Sequence, residues 1–224
     1  QNQIPDMRPV YMTGSGTDNI QRDMTFRRSP MIQQANVVTG LFGQAARTLT
    51  RPGVGGFIAS KIANRFILEG YHVTGVDDFS GGKRENVPAG LNLIEGDLST
   101  HETIEKLPKD CSLILHLAGQ SSGEMSFDDP IADLNKNSIS TLNLIKFGID
   151  IGVKKLVFAS SVSIYGDVGD RHLVESDISN PSSCYGVSKL AAEGYLRIYS
   201  KQLPYVNMRM FNVYGPGQDL DNLR

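Results

Sequence analysis

Tyr185 stands four positions before Lys189 in "SSCYGVSKLAAEGY", and no other tyrosine in the chain has a lysine at that interval. On a helix, residues four apart share a face, with Cβ atoms about 5–6 Å apart. An ammonium so placed favours the phenolate of a side chain whose ordinary pKa, about 10, makes it a poor base at neutral pH. The same pair would equally suit a solvated helix face, so the rest of the sequence has to decide. Ser161 lies twenty-four residues before Tyr185, in the β-branched run "FASSVSIYG". It is near the C-terminal end of that run, the rim at which open α/β sheets bind ligands. Serine, tyrosine and lysine together can take a proton from a hydroxyl, the serine relaying it and the tyrosine accepting it, while a hydride leaves the same carbon.

A hydride needs an acceptor, and "GVGGFIAS" offers a place for one. Gly53, Gly56 and Ala59 form a G-x-x-G-x-x-A spacing at the start of a helical pattern. Small residues there let the backbone approach a pyrophosphate, and the helix N-terminus supplies N–H groups and a positive dipole end. Asp77 follows Gly56 by twenty-one residues, at the end of the next strand pattern. A carboxylate at that place accepts from ribose hydroxyls and repels an added phosphate, which favours NAD over NADP. Lys83 and Arg84 are close in sequence and would bind that phosphate if they faced it; a solvated loop pair is the simpler reading. A second triplet, Gly40, Gly43 and Ala46, follows "ANVVTG", but from Gly43 to Asp77 is too long for one helix and a turn. The first strand is therefore either "ARTLT" (46–50) or "ANVVTG" (35–40), the latter with an insertion.

The elements that must position these residues alternate. "FIASKIANRFILEG" (57–70) reads as a helix with Ile58, Ile62, Phe66 and Ile67 on one face and Gly70 at its C-terminal cap. Strands are expected at 72–78, 91–98, 112–119, 155–166 and 205–215, and helices at 101–107, 129–152 and 184–202. In the long helix Asp129 is the cap and Pro130 the first turn. Val-, Ile- and Leu-rich strands alternating with helices predict an α/β fold built on a doubly wound parallel sheet. Residues 1–35 show no sustained period and are expected to form a poorly ordered extension; the domain proper is expected from residue 36 to 224.

Composition narrows the partners. The chain has 224 residues, 40% of them hydrophobic and 21% charged, with a formal net charge of −2. That balance offers no field for nucleic acid or an anionic membrane, so neither is expected as a partner. Cys111 and Cys184 fit no metal-ligand spacing, so no metal is expected and the thiols are read as free. No run approaches the length of a membrane span, and a soluble, cytoplasmic protein is the expectation.

With these pieces in hand, residues 53–217 resemble the extended short-chain dehydrogenase/reductase family, and within it the NAD-dependent nucleotide-sugar epimerases and dehydratases. The segments that carry the likeness are "GVGGFIAS", "VDDFSGGKREN", "EGDL", "HLAGQSS", "FASSVSIYGD", "CYGVSKLAAE" and "RMFNVYGPGQ". The resemblance implies a Rossmann-like fold. It implies that Phe57 and Ile58 meet the pyrophosphate, and that Asp77, Asp78, Phe79, Ser80, Gly81 and Gly82 surround the adenosine ribose. Asp97 and Leu98 would flank adenine; Leu117, Ala118, Gly119, Gln120 and Ser121 would line the dinucleotide, with Asn137 behind it. Ser161, Tyr185 and Lys189 take the catalytic positions, the last two also touching the cofactor. Phe211 matches a nicotinamide-side position and Asn212 one that touches the sugar nucleotide. Three departures stand out: Arg51-Pro52 replaces the family's Thr-Gly before the fingerprint, Ala59 its third glycine, and Ser140 a glycine after the Asn137 position.

The resemblance also bears on the reaction. Dehydratases of the group carry Asp-Glu directly after the catalytic hydroxyl residue, and related decarboxylases keep a Glu; here those positions are Val162 and Ser163. The expectation is therefore 4-epimerisation of a nucleotide sugar, a UDP-sugar first, through a transient 4-keto sugar. An NAD-dependent reductase or dehydrogenase and a non-catalytic dinucleotide-binding fragment are the alternatives. The family's further substrate-binding segment is expected to be largely missing after Arg224. Homodimers common in the family pack the helices matching 129–152 and 184–202, where Leu190, Ala191 and Leu196 would suit either a partner or the sheet.

Overall fold

A computed structural model describes residues 48–216 and 218. The expected extension at 1–35, the candidate strand 35–40 and the first glycine triplet lie outside the described residues.

Six strands form one wholly parallel sheet: β1 (Thr48–Pro52), β2 (His72–Asp77), β3 (Asn92–Glu95), β4 (Leu113–His116), β5 (Lys155–Ser161) and β6 (Tyr205–Met210). Their order is β3-β2-β1-β4-β5-β6. The chain runs outward from β1 in one direction and then returns to run outward in the other, so β1 and β4 flank the switch point where such sheets leave a crevice. Thr48–Pro52 fills the first-strand place, pairing with β2 from Thr48↔His72 to Pro52↔Val76. This corresponds to the later of the two candidate segments.

The helices are α1 (Phe57–Leu68), α2 (His101–Glu105), α3 (Met125–Asp128), α4 (Pro130–Leu134), α5 (Ser140–Asp150) and α6 (Cys184–Ile198). In β4 the period of two divides the core: Leu113 and Leu115 pack with Ala63 and Phe66 of α1, and Ile114 with Leu144, Ile145 and Leu196 of α5 and α6. Each such side chain contributes about 2 kcal/mol by leaving water. Cutting fully buried Ile114 to Ala would cost about 2–5 kcal/mol.

The structure departs from the expected elements at α1, at the long helix and at β5, and it ends β6 at Met210 rather than at 215. The buried face of α1 is Ala59, Ser60, Ala63 and Phe66; Ile58, Ile62 and Ile67 stay partly exposed. Next to the glycine turn the helix lies close to the sheet, so its first two turns bury the small side chains of Ala59, Ser60 and Ala63, and the larger Phe66 follows only farther along. The expected single helix 129–152 contains a π-helical turn, Asn135–Ile139, between α4 and α5. Asp129 does cap it, accepting from the Ala132 N–H at 2.9 Å. The strand expected to reach 166 ends at Ser161, whose side chain accepts from the Ser163 N–H and starts a 3₁₀ turn, Val162–Tyr165. Leu196 is buried in the core, so it takes the sheet-facing option; the exposed apolar residues of α6 are Val187, Tyr195 and Ile198.

Candidate active site

Gly53 turns the chain from β1 into α1. Its φ is +83°, and a Cβ there would stand 2.8 Å from the Ala118 backbone, so only glycine fits. The Gly53 N–H donates to Val76 O at 2.7 Å, tying the turn to the end of β2. α1 then starts with no side-chain cap and no acidic residue in its first turn. Its leading N–H groups and the positive end of its dipole are thus open to an anion.

Asp77 is fixed at the end of β2 by two backbone donors, Gly55 N–H to Oδ2 and Phe79 N–H to Oδ1, both at 2.8 Å. Each carboxylate oxygen keeps a lone pair for a hydroxyl donor. Arg84 turns away from this carboxylate: it pairs with Glu95 at 2.6 Å and stacks over the Phe79 ring at 4.3 Å. Neither Lys83 nor Arg84 lines the cavity that Asp77 borders.

That cavity, about 370 Å³, runs along the C-terminal rim of the sheet. Gly53, Gly56, Phe57 and Ile58 form its floor, and Asp77, Asp78, Gly81 and Gly82 one end. Asp97 and Leu98 stand near that end, and Leu117, Ala118, Gly119, Gln120 and Ser121 run along the middle. Tyr185 and Lys189 line it as well. The glycine cradle, the uncapped helix start and the paired carboxylates of Asp77 and Asp78 fit a dinucleotide with two ribose hydroxyls.

At the chemical end, α6 starts where Ser183 accepts from the Gly186 N–H. Tyr185 and Lys189 follow on its buried face. Lys189 Nζ lies 5.8 Å from the Tyr185 ring centroid and 4.9 Å from that of Phe158. Burial pulls the Lys189 pKa down to about 8, against the opposing pull of the Asp133 carboxylate. Burial raises the Tyr185 phenol above its ordinary value; a hydrogen bond with Ser161 lowers it, and the Asp133 charge adds to the rise. In the chain alone, therefore, burial outweighs the phenolate-favouring contacts, and the phenol is protonated at neutral pH. Beneath lies His116, fully buried, with Nε2 3.0 Å from Thr141 Oγ1. Burial first, and the Lys189 charge second, depress its pKa to about 3, so it is neutral.

Six expected residues do not line the cavity. Ser161 sits just behind its rim, on Tyr185 and Ser163. Asn137 stands behind Gly119, where a Cβ on the glycine would collide with Asn137 Oδ1. Phe79 packs outward under Arg84, and Ser80 meets Lys136. Phe211 and Asn212 follow the end of β6 and are exposed. Conversely, Lys136, Ser160 and Met210 line the cavity without having been singled out. Lys136 comes from the π turn, and the residue before Asn137 carries no sequence signal of its own. Among the described residues no group of His, Cys, Asp and Glu is placed to hold a metal, and no helix is long and apolar enough to cross a membrane.

Known proteins resemble this chain in sequence and in fold. The model of the NAD dependent epimerase/dehydratase family matches residues 52–223. A UDP-glucose 4-epimerase of Mycolicibacterium smegmatis is 36% identical over 186 residues, covering 77% of this chain and 58% of that protein. UDP-glucuronic acid decarboxylase 1 of Xenopus tropicalis is 27% identical over 213 residues, covering 92% of this chain and 49% of the other. Among solved structures, the UDP-glucose 4-epimerase of Thermus thermophilus in complex with NAD superposes with a TM-score of 0.73 at 37% identity, over 77% of this chain and 57% of that one. The chain thus spans about half the length of these relatives.

Proposed function

Because this chain belongs to the NAD dependent epimerase/dehydratase family, we propose that its cavity binds NAD and that Ser161, Tyr185 and Lys189 serve the 4-epimerisation of a nucleotide sugar, a UDP-sugar first. One observation carries the reading: a single cavity joins the Gly53 turn and Asp77 to Tyr185 and Lys189. A dinucleotide laid along it has its phosphates at the start of α1 and its reactive end beside a tyrosine–lysine pair.

NAD, when bound, supplies the acceptor for a hydride and then returns it. Ser161 hydrogen-bonds the sugar's 4-hydroxyl and passes its proton to Tyr185 Oη as that hydride leaves C4. Lys189, charged beneath the phenol, and the positive nicotinamide ring of bound NAD would together favour the phenolate that the chain alone does not hold, so that Tyr185 could accept the proton. Tyr185 would later return the proton to the ketone oxygen, the hydride for that re-reduction being what bound NAD would supply. Protons and electrons therefore balance over the cycle, with no net oxidation.

Val162 and Ser163 support this reading over water elimination, which needs a carboxylic acid beside the catalytic hydroxyl. The decarboxylase relative matches the larger share of the chain, so that reaction is the second reading, against which the absence of a Glu at Val162 and Ser163 also counts. A homodimer fits the face formed by α3, α4 and α6, where exposed Phe127, Ile131 and Val187 border a groove of about 520 Å³; light scattering reads the mass directly.

The test is interconversion of UDP-galactose and UDP-glucose by the chain with NAD. The reading expects turnover without net NADH, reduced about 10²- to 10⁴-fold by Tyr185→Phe. Release of CO₂ from UDP-glucuronic acid would favour the second reading, and stoichiometric NADH a dehydrogenase. NAD binding without turnover of any of these would leave a non-catalytic dinucleotide-binding protein.

A further inference from the structure

Asp133 of α4 is 1% exposed, an unusual place for a carboxylate. Its Oδ1 accepts from Asn137 Nδ2 at 2.9 Å, and the Ser188 hydroxyl also stabilises the carboxylate, while Oδ2 has no partner within close hydrogen-bond geometry. Asn137 is itself fully buried, and its amide is therefore aimed: Nδ2 toward Asp133, Oδ1 toward Gly119. A Cβ on Gly119 would stand 3.1 Å from Lys189 Nζ, so carboxylate, amide and ammonium gather behind one point of the cavity wall. A buried charge is retained only where another charge or several donors answer it.

Besides Asn137 of the π turn, four elements place side chains that bear on Lys189. β4 contributes His116, which is neutral. β5 contributes the ring of Phe158, and α6 itself contributes Tyr185. α4 contributes Asp133, the one carboxylate acting on Lys189 among the described residues. The two are both out of water and are not in direct ion-pair contact, Asn137 standing between them; burial raises the Asp133 carboxyl, and the hydrogen bonds of Ser188 and Asn137 and the Lys189 charge work against that rise.

We propose that Asp133 is the counter-ion of Lys189, a positioning residue clamped by Asn137 that keeps the lysine charged beneath Tyr185. The part of this that concerns catalysis rests on the function proposed above; the charge pairing itself does not. Burial already brings Lys189 to about 8 with Asp133 opposing it. With the carboxylate removed, burial acts unopposed, and the lysine loses its proton within the neutral range. Tyr185 then lacks a cation where it has to act. The loss of the negative charge also lowers the phenol slightly, because Asp133 raises it. The two effects oppose one another at Tyr185, whereas at Lys189 there is only one direction.

The test is an NMR titration of the lysine side-chain nitrogens in the whole chain, with Lys189 assigned by its absence in Lys189→Met. Asp133→Asn should lower the Lys189 titration point by about one pH unit or more, and Asp133→Glu should restore most of it. In the unmodified chain the Asp133 carboxyl carbon should show a second inflection where Lys189 titrates, a readout that requires no variant to fold. An unmoved Lys189 in folded Asp133→Asn, or no such inflection, overturns the proposal. If neither NAD binding nor sugar turnover is found, the proposed function fails, while the Lys189 titration still decides the counter-ion. If turnover is present, Asp133→Asn should lower kcat with KM little changed and move the pH profile with Lys189.

Discussion

Lys136 Nζ sits 2.8 Å from Asp78 Oδ2, joining the π turn to the loop after β2 across the cavity that both residues line. It also meets Ser80 Oγ. Burial pushes the Asp78 carboxyl up, but the Lys136 and Ser80 contacts outweigh it and hold the group below its ordinary value. Both side chains are about a quarter to a third exposed, so the pair itself adds little stability. Its place matters more: Lys136 brings a positive charge to the cavity proposed above to hold NAD. Lys136→Met should raise the Kd for NAD about 2- to 5-fold with little change in thermal stability. Titration calorimetry reads both affinities, and an unchanged Kd would remove Lys136 from the site.

Gly53→Ala separates the cradle from the rest of the fold. The new methyl group would meet the Ala118 backbone at 2.8 Å, on a φ of +83°. A loss of about 1–3 kcal/mol is expected from strain, together with loss of NAD binding. Urea unfolding measures the first and calorimetry the second; retention of full affinity would contradict the cradle.

His116 sets an acid limit. In the unfolded chain it takes a proton below about 6.5, the ordinary value, but in the fold not until about 3. Between those values the unfolded state binds more protons, so stability falls as pH drops through that window and is unaffected by this group above it. The slope from one group is at most about 1.4 kcal/mol per pH unit. Replacing His116 with Gln should flatten the acid limb of a plot of unfolding free energy against pH; an unchanged slope would place the acid sensitivity elsewhere.

Arg209 fastens the loop before α6. Its guanidinium pairs with Glu193 at 2.8 Å and donates to Tyr165 Oη at 2.6 Å and Glu175 O at 2.7 Å. Arg209→Met strands the largely buried Glu193 and should cost about 3–5 kcal/mol. Lysine should rescue little of this, since one ammonium cannot span three acceptors. A loss within about 0.5 kcal/mol in chemical denaturation would show the network to be slack.

The parallel sheet was readable because β5 and β4 are nearly continuous apolar runs between helical patterns, and the glycine turn because its spacing to Asp77 is close to one helix and one strand. The π turn was not readable: Asn135–Ile139 keeps helical composition, and the widening comes from tertiary packing against α6, where Ser138 Oγ donates to Ser188 O at 2.8 Å. The buried face of α1 was misread for a related reason. Hydrophobicity points to the isoleucines, whereas the closeness imposed by Gly53 selects Ala59 and Ala63. Asp133 gave no signal either, since a carboxylate one turn after a helix start reads as a solvated residue until the fold shows it behind Lys189. Identity in the comparisons reaches the family, and the chain's own side chains carry the reading from there.

Calorimetric titration of NAD and NADP into the chain tests the central claim most directly. The account predicts one NAD per chain and much weaker binding of NADP, whose extra phosphate would face the carboxylates of Asp77 and Asp78. Equal affinity for the two, or binding of neither, would contradict it.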